Sequence, residues 1–276
     1  MLRLTPRAVD GLDVGAIRRQ LVGEVIGAHV YIFADVASTN AALRALAEAG
    51  AQEGTVVLAE EQRAGRGRLE TTWFSPPGVN LYISVLLRPA IRTAAVPIFS
   101  FIVSLALTEA IWALGIPAGV KWPNDVVIND RKAAGARLDV GVVGERVAYV
   151  VVGIGVNVNV LRAELEAGLG AAAADATSLR EALGRPIDRN ALAASFLNLL
   201  EKWLGLYATE GQEMILDAWR ARDVLTGHRV AVDDRRSPVT GCVAGVNAHG
   251  FLLVDDDAGT RHTVVSGAVR RMEDER

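Results

Sequence analysis

A long stretch that is almost without charge constrains this chain more than any other feature of its sequence. Between Arg92 and Lys121 the only charged residue is Glu109. The stretch exceeds the roughly 20 apolar residues that a membrane-spanning helix requires, but serine, threonine and Glu109 interrupt it and a proline stands near each end. We therefore predict a helix over residues 94–114 that is buried against a sheet and does not span a membrane.

The composition agrees with a sizeable hydrophobic core. The chain has 276 residues, of which 51% are hydrophobic and 22% charged, with a formal net charge of -3 at pH 7. This excludes global disorder, and the lack of a basic excess argues against a dedicated nucleic-acid binder. The single cysteine, Cys242, excludes an intramolecular disulfide and favours a reducing compartment. Because the first residues lack the apolar stretch of a secretory signal, we expect a cytoplasmic protein.

The spacing of the predicted elements changes near residue 222. Before it, strand-like alternation is interspersed with helix-like periodicity, including a short basic helix around Gly15–Val22 and a helix whose N-cap is Ser38. After it, from about residue 228, short strand-like runs are separated by Asp, Asn and Gly. We predict a mixed α and β domain at 1–222 and a small β-barrel-like domain at 223–276.

Several common catalytic motifs are missing. Gly65-Arg66-Gly67 and Gly153-Ile154-Gly155 begin like dinucleotide-binding loops, but neither has a third glycine at the required spacing. The sequence has no Walker-type loop and no Gly-x-Ser-x-Gly nucleophile elbow. Its four histidines have neither i, i+4 pairing nor cysteine partners. A resident metal site and the usual covalent hydrolase mechanisms are therefore disfavoured.

An arginine-rich segment, Gln62–Arg68, follows a predicted strand. Exposed arginine is common, so the segment could simply be a solvated loop. In the functional interpretation, its two glycines permit close backbone approach and its alternating arginines supply planar, permanently charged donors for an anion. Such a loop suits a lid over a phosphate that must be shielded from water.

Two further segments place a polar side chain at a rigid position. In Lys121–Asp125 the proline removes a backbone donor and keeps its predecessor extended, so Asn124 stands at a rigid strand exit. In Arg131–Gly135, Lys132 opens a strand after a tight turn at Asn129-Asp130. Structurally these could be a core turn and a solvated lysine. Functionally, Asn124 could face a nucleotide or a metal-bound phosphate, and Lys132 could stabilise charge that develops during group transfer.

A glycine-containing strand ends in polar residues. In the segment Gly153–Asn159, two glycines are followed by Asn157. Glycine inside a strand weakens it and usually marks the close approach of a ligand or of another backbone. The segment therefore predicts a flat site floor with a polar end.

Taken in their order along the chain, these segments resemble the biotin–protein ligases. The resemblance rests on Ser38-Thr39-Asn40, Gly-Arg-Gly-Arg at 65–68, Lys-Trp-Pro-Asn-Asp at 121–125, Arg-Lys-x-Ala-Gly at 131–135 and Gly-x-Gly-x-Asn at 153–157. Only 37 residues precede Ser38, too few for an N-terminal DNA-binding module and its linker. The resemblance is thus to the monofunctional type, and no operator binding is expected.

The resemblance implies an α/β fold, with a central mixed sheet in the catalytic domain and an SH3-like C-terminal domain. It implies a two-step reaction: biotin and MgATP give biotinyl-5′-AMP and pyrophosphate, and a lysine of a biotin carboxyl carrier protein then accepts the biotinyl group. The implied substrates and cofactors are biotin, ATP and Mg²⁺. The implied protein partners are the carrier of a biotin-dependent carboxylase and, as in many family members, a second copy of the chain. Neither nucleic acid nor a membrane is an expected partner.

The resemblance also assigns the site residues. Lys132 and Arg68 are the implied catalytic residues, because their charges would offset the repulsion between the biotin carboxylate and the α-phosphate. The implied biotin-binding residues are Ser38, Thr39, Asn40, Gln62, Gly65, Arg66, Gly67, Arg68, Lys132, Gly135 and Gly153. The implied ATP- and adenylate-binding residues are Arg66, Arg68, Trp73, Asn124, Lys132 and Asn157.

Two features depart from the family pattern and leave other functions open. Leu69-Glu70-Thr71-Thr72 replaces the further glycine and basic residues of many members, and a carboxylate at Glu70 would repel a phosphate. Arg137 stands where the family usually has an apolar residue, so it would narrow the biotin tail channel or reach a phosphate. One alternative is a lipoate or octanoate ligase or transferase, although Cys242 lies outside the catalytic domain in which the transferases generally need a cysteine. The other alternative is an inactive biotin sensor.

Overall fold

The computed structural model describes residues 11–233 and 238–272 of the chain. The helices are α1 (Val14–Arg18), α2 (Thr39–Glu48), α3 (Ile98–Trp112), α4 (Arg162–Leu169), α5 (Leu179–Leu183), α6 (Arg189–Glu210) and α7 (Gln212–Arg220). The strands are β1 (Val30–Val36), β2 (Val56–Gln62), β3 (Leu81–Leu87), β4 (Gly119–Lys121), β5 (Asp125–Ile128), β6 (Arg131–Val143), β7 (Arg146–Val156), β8 (Arg229–Asp233), β9 (Val239–Val246), β10 (Leu252–Asp255), β11 (Arg261–Val264) and β12 (Ala268–Arg271). Short 3-10 helices cover Arg68–Glu70, Thr93–Ala95 and Gly170–Asp175.

The larger sheet is mixed and is covered on both faces. Its strand order is β1-β2-β3-β7-β6-β5-β4, in which β1 pairs with β2 in parallel and the other neighbours pair antiparallel. Every residue of β3 is buried, because α3 and α6 pack with one face of the sheet and α2 packs against the other. This explains why β3 is almost wholly apolar in sequence, as expected of a strand buried on both sides. The prediction of an α/β protein with a central mixed sheet is confirmed.

The predicted buried helix is confirmed as α3. It lies between the larger sheet and helices α6 and α7, so side chains around almost its whole circumference are buried. The hydroxyl groups of Ser104 and Thr108 donate to backbone carbonyls one turn earlier, which satisfies polar groups inside this apolar environment. Among the described residues, Thr93–Trp112 is the helical segment long and apolar enough to cross a membrane, and 72% of its most apolar window is buried in the protein.

The smaller sheet is antiparallel and packs against the first 222 residues. Its order is β11-β10-β9-β8-β12, and within the described residues no pairing of β11 with β12 closes it into a barrel. The indole of Trp122 donates to the Gly250 carbonyl at 2.9 Å, and Val120 forms a β-bridge with Asp223. One continuous hydrophobic cluster contains residues of both sheets. The smaller sheet is therefore fixed beside β4 and the segment that follows it.

One predicted helix boundary and one predicted capping contact differ from the structure. The basic helix predicted around 15–22 ends at Arg18, because side chains of α6 bind the backbone N–H groups that follow: Asn198 accepts from Val22, and Glu201 accepts from residues 24–26. Ser38 is the N-cap of α2, as predicted, but its side chain makes no capping hydrogen bond.

Candidate active site

A cavity of about 230 Å³ contains most of the predicted site residues. It is lined by residues from the start of α2, the end of β2, the loop after β2, strands β4–β7 and residues 267–269 of the smaller sheet. The predicted residues that line it are Ser38, Thr39, Asn40, Gln62, Arg66, Gly67, Arg68, Trp73, Asn124, Lys132, Gly135 and Gly153. Gly65 is buried next to this group, and Asn157 lines a neighbouring cavity.

One wall of the cavity is a network of buried polar side chains. Ser84 Oγ, on the fully buried strand β3, lies 2.8 Å from Thr39 Oγ1 and 2.6 Å from Asn40 Oδ1. Gln62 Oε1 accepts from the backbone N–H of Thr39 at 3.0 Å. The amide of Asn40 also donates to Asp139 Oδ2 at 3.0 Å. Polar groups at a cavity favour a ligand with matching donors and acceptors, because such a ligand can extend or replace these mutual hydrogen bonds and an apolar ligand cannot.

The two glycines of β7 make room for site side chains. A Cβ atom at Gly153 would lie 1.8 Å from Asn40 Oδ1, and one at Gly155 would lie 2.3 Å from Cε2 of Trp73. Both distances are far below van der Waals contact, so any side chain at either position would displace its neighbour. The sequence predicted that a ligand or another backbone lies close to these glycines. In the structure the groups that lie close to them are the side chains of Asn40 and Trp73.

Lys132 is held at the cavity by its strand and by two neighbours. The preceding turn contains Asn129 and Asp130 with φ of 49° and 60°, which is the left-handed conformation typical of tight hairpin turns. The ammonium of Lys132 lies 2.7 Å from Asp125 Oδ1 and 5.3 Å from the ring centroid of Trp73. The backbone N–H of Thr177 donates to the Lys132 carbonyl at 2.9 Å. The lysine is therefore presented to the cavity between a carboxylate and an aromatic face.

Arg68 contacts Asn124 and is close enough to Asp125 for their charges to interact. Arg68 Nη1 donates to Asn124 Oδ1 at 3.3 Å, while the Asn124 amide donates to the Ala136 carbonyl. Burial lowers the pKa of the Arg68 guanidinium, and the negative charge of Asp125 opposes this shift. The guanidinium still carries its charge at neutral pH, so the site brings two cations, Lys132 and Arg68, around one carboxylate.

The segment from Gly65 to Trp73, called the 65–73 loop below, folds back on itself. Gly67 N–H donates to the Thr71 carbonyl at 2.8 Å, and Trp73 N–H donates to the Gly65 carbonyl at 3.0 Å. At the turn, Leu69 is exposed and has φ 51° and ψ 31°, which is unusual for a residue with a branched side chain. The side chain of Glu70, whose charge was predicted to oppose phosphate binding, lies outside the described part of the chain.

The second cavity, of about 1140 Å³, adjoins the first. Asn157 lines it, and its amide nitrogen donates to the Thr177 carbonyl at 3.0 Å. Its cationic lining residues are Lys121, Lys132, Arg270 and Arg271, and its acidic ones are Asp125, Asp130 and Asp175. Trp73 lines both cavities, and its indole N–H is buried with no partner among the described residues.

Sequence reasoning missed four contributors to the site. Ser84 could have been found because it is a small polar residue in an otherwise almost wholly apolar strand. Asp125 could have been found as the last residue of the Lys-Trp-Pro-Asn-Asp segment. Asp139 had no recognisable motif. Strand β12, which supplies Ala268 and Val269 to the first cavity, had no signal at all, because a β-strand pattern does not indicate what the strand packs against.

Comparisons with known proteins find relatives that match most of the chain. A model of the biotin/lipoate A/B protein ligase family matches residues 32–157. The chain is 32% identical over 251 residues to the bifunctional ligase/repressor BirA of Bacillus subtilis, covering 91% of this chain and 76% of that protein. It is 32% identical over 267 residues to the biotin–[acetyl-CoA-carboxylase] ligase of Mycobacterium tuberculosis, covering 92% of this chain and 93% of that protein.

Solved structures show the same architecture. A biotin protein ligase from Aquifex aeolicus, in complex with biotin and ATP, is similar with a TM-score of 0.74 and 25% sequence identity, covering 88% of this chain and 99% of that chain. A biotin protein ligase from Leishmania major, in complex with biotinyl-5-AMP, has a TM-score of 0.55 at 22% identity, which is a likeness of fold alone.

Proposed function

This chain belongs to the biotin/lipoate A/B protein ligase family as one of its biotin protein ligases, and from this premise we propose how its residues divide the reaction. In the first step, a carboxylate oxygen of biotin attacks the α-phosphorus of ATP, the bond to the bridging oxygen breaks, and pyrophosphate leaves. In the second step, the deprotonated amine of a carrier lysine attacks the acyl carbon of biotinyl-5′-AMP. An amide forms and AMP leaves.

The buried polar wall carries the assignment of biotin as the acid. The wall is made of Thr39, Asn40 and Gln62, which line the cavity, and is backed by the fully buried Ser84. These residues contact one another at 2.6–3.2 Å. The ureido ring of biotin has two N–H donors and a carbonyl acceptor that can replace or extend these contacts. Lipoate and octanoate have no such groups, so neither of them can offer the wall a polar partner on the ligand.

Lys132 and Arg68 carry the chemistry of the first step. The attacking carboxylate and the α-phosphate are both anions, so their approach is opposed by Coulomb repulsion that nearby cations reduce. Lys132 faces the cavity at 2.7 Å from Asp125, and Arg68 approaches the same cavity from the 65–73 loop. We assign Lys132 to the charge that develops on the transferred phosphoryl group. We assign Arg66 and Arg68 to the phosphate of the bound adenylate.

The nucleotide is assigned to the junction of the two cavities. Trp73 lines both and has an unpartnered buried N–H, so its ring can stack on adenine and its N–H can find an acceptor. Asn124 and Asn157 are assigned to the same nucleotide. Mg²⁺ enters as part of MgATP. Asp125 is the carboxylate that lines both cavities, which fits an ion that takes most of its ligands from phosphate and water.

The other assignments follow from the family. We infer that residues 223–276 form an SH3-like domain, that a biotin carboxyl carrier domain is the protein substrate and that the enzyme acts in the cytoplasm. A second copy of the chain is a further predicted partner. The smaller sheet lines the first cavity through residues 267–269, which supports a role for this domain in closing the site.

The test is pyrophosphate release from MgATP by the purified protein with biotin, lipoate or octanoate as the acid. We expect release with biotin alone, followed by labelling of one lysine of a carrier domain. A carrier variant in which that lysine is replaced by arginine is the control for transfer. Release with lipoate or octanoate would move the chain to the sister activity, and biotin binding without release would identify a sensor.

A further inference from the structure

We propose that Arg137 is a positioning residue that connects the biotin-facing wall to the 65–73 loop and so holds this loop closed over the adenylate. The ligand in this inference, the biotinyl adenylate, rests on the proposed function, whereas the contacts of Arg137 are those of the structure. Arg137 is on β6, directly opposite Gly153 in the strand register, and it lines the first cavity.

The Arg137 guanidinium bridges two elements. Its Nη1 donates to the Gly67 carbonyl of the loop at 2.8 Å, and its Nε donates to Asp139 Oδ1 at 3.0 Å. Arg137 and Asp139 are two residues apart on one strand, so their side chains stand on the same face of the sheet. The planar fork of arginine can hold both acceptors at once, which the single ammonium of a lysine cannot do in the same geometry.

The second carboxylate oxygen continues the connection into the biotin-facing wall. Asp139 Oδ2 accepts from the Asn40 amide at 3.0 Å, and Asn40 Oδ1 lies 2.6 Å from Ser84 Oγ. Asn40 is 7% exposed and Ser84 is fully buried. A ligand that fixes the orientation of Asn40 therefore also fixes Asp139, and through Asp139 the guanidinium of Arg137.

The same network returns to the far end of the loop. Gln62, which binds Thr39, donates through Nε2 to Ser75 Oγ at 3.1 Å, and Ser75 Oγ donates to the Trp73 carbonyl at 3.0 Å. The connection thus reaches the loop at Gly67 near its tip and at Trp73 at its end. Two further contacts of the tip are longer or internal to the loop: Arg68 Nη1 lies 3.3 Å from Asn124 Oδ1, and the hydrogen bond from Gly67 to Thr71 moves with the loop.

The consequence is that biotin binding is coupled to closure of the 65–73 loop. Biotin that binds Asn40 stabilises the closed loop, and a closed loop retains the adenylate. An apolar residue at position 137 would leave the Gly67 carbonyl without this donor and would leave Asp139 without its cation. The loop would then open more often, even though no group that touches the phosphates has been changed.

The experiment compares Arg137→Leu, Arg137→Lys and Asp139→Asn with the wild type and with Arg92→Leu. Arg92 is a matched control, since its side chain is 81% accessible and its guanidinium lies 3.8 Å from the exposed carboxylate of Glu145, away from the cavity lining. The first readout is the rate of tryptic cleavage after Arg66 and Arg68 in the free protein, which tracks the open population. The second is the half-life of bound biotinyl-5′-AMP.

We expect Arg137→Leu to raise loop cleavage and to shorten the adenylate half-life by about 10-fold each, as for loss of one charge-assisted hydrogen bond. Arg137→Lys should give a smaller change in the same direction. Asp139→Asn should resemble Arg137→Leu, because an amide would present a donor to Asn40 or to Arg137. Biotin should protect the loop from trypsin in the wild type and much less in Arg137→Leu.

Wild-type cleavage and adenylate half-life in Arg137→Leu would overturn the proposal. If Arg137→Leu does not fold, the lysine variant decides: cleavage equal to that of wild type overturns the proposal, and faster cleavage supports it. Because trypsin sensitivity of the free protein needs no biotin chemistry, failure of this inference is distinguishable from failure of the proposed function. Absence of pyrophosphate release in the wild type would contradict the function, whereas the cleavage data would still test Arg137.

Discussion

Replacing Gly155 by alanine tests whether the glycine floor of the proposed nucleotide site makes room for the indole of Trp73. The new Cβ would lie 2.3 Å from Cε2, 2.4 Å from Nε1 and 2.7 Å from Cζ2 of the indole, with no flexible chain end to absorb the contact. Relief requires the ring to move by about 1 Å, away from the β7 backbone and into the space of the cavities that it lines. The ring would then also leave its place 5.3 Å from Lys132.

We expect Gly155→Ala to weaken the binding of ATP. Stacking of a base on an aromatic side chain is worth about 1–3 kcal/mol, so partial loss of that stack should raise the KM for ATP by roughly 10-fold, the equivalent of about 1.4 kcal/mol. The affinity for biotin should change much less, because Gly153, not Gly155, faces Asn40. The assay is initial-rate pyrophosphate release with ATP varied at saturating biotin, together with biotin binding by calorimetry.

A double-mutant cycle separates this explanation from general damage. We expect Trp73→Ala to raise the KM for ATP at least as much as Gly155→Ala does, and the double variant to resemble Trp73→Ala alone, since the clash has lost its partner. Gly205→Ala is the matched control, because a Cβ at this position in α6 meets nothing within 4 Å. Equal costs of Gly155→Ala in both backgrounds would refute the reasoning.

Three other perturbations have clear expected outcomes. Lys132→Ala should lower the rate of adenylate formation by about 100-fold or more, measured in single-turnover experiments, with the exposed Lys202→Ala as control; an unchanged rate would remove the assignment. Leu69→Asn should relieve about 1 kcal/mol of the strain that the left-handed backbone conformation imposes on Leu69. If the closed loop contains this turn, the adenylate half-life should lengthen about fivefold. A shorter half-life would contradict the presence of this turn in the closed loop. Hydrogen bonds from Arg261, His262 and Arg229 hold the pKa values of Asp255, Asp256 and Asp257 below their ordinary value of 3.8. Their contribution to stability is therefore present above that pH and lost as the pH falls below it, so urea unfolding at pH 7, 5, 4 and 3 should show a decline that is smaller when all three are Asn.

Predictions from the sequence succeeded where a local pattern has one structural solution. The nearly uncharged stretch was predicted to be a helix buried in the protein and not a membrane span, and α3 is that helix. Asn129-Asp130 takes the left-handed turn expected of such a pair, and this turn sets Lys132 at the start of β6. Most residues assigned through the ordered motifs line one cavity, because each motif lies at the beginning or end of a strand, or at the beginning of a helix, at the same end of the larger sheet.

The parts that could not be predicted depend on contacts between distant segments. Ser84 and Asp139 join Asn40 only because β3, β6 and the start of α2 are brought together by the sheet. The sequence raised two explanations for Arg137, a narrowed channel and a contact with phosphate. The structure places its guanidinium on Gly67 and Asp139. No local pattern encodes which carbonyl an arginine will reach.

The position of β12 has a consequence for how the enzyme is made. Residues 267–269 line the same cavity as Ser38, more than two hundred positions earlier in the chain. Domains emerge from the ribosome in order from the N-terminus, so a nascent chain can assemble the larger sheet while this wall of the cavity is still missing. Synthesis of the final strand would then be the event that turns a folded intermediate into a competent enzyme, and a chain released early would be compact but unable to enclose its reactive adenylate.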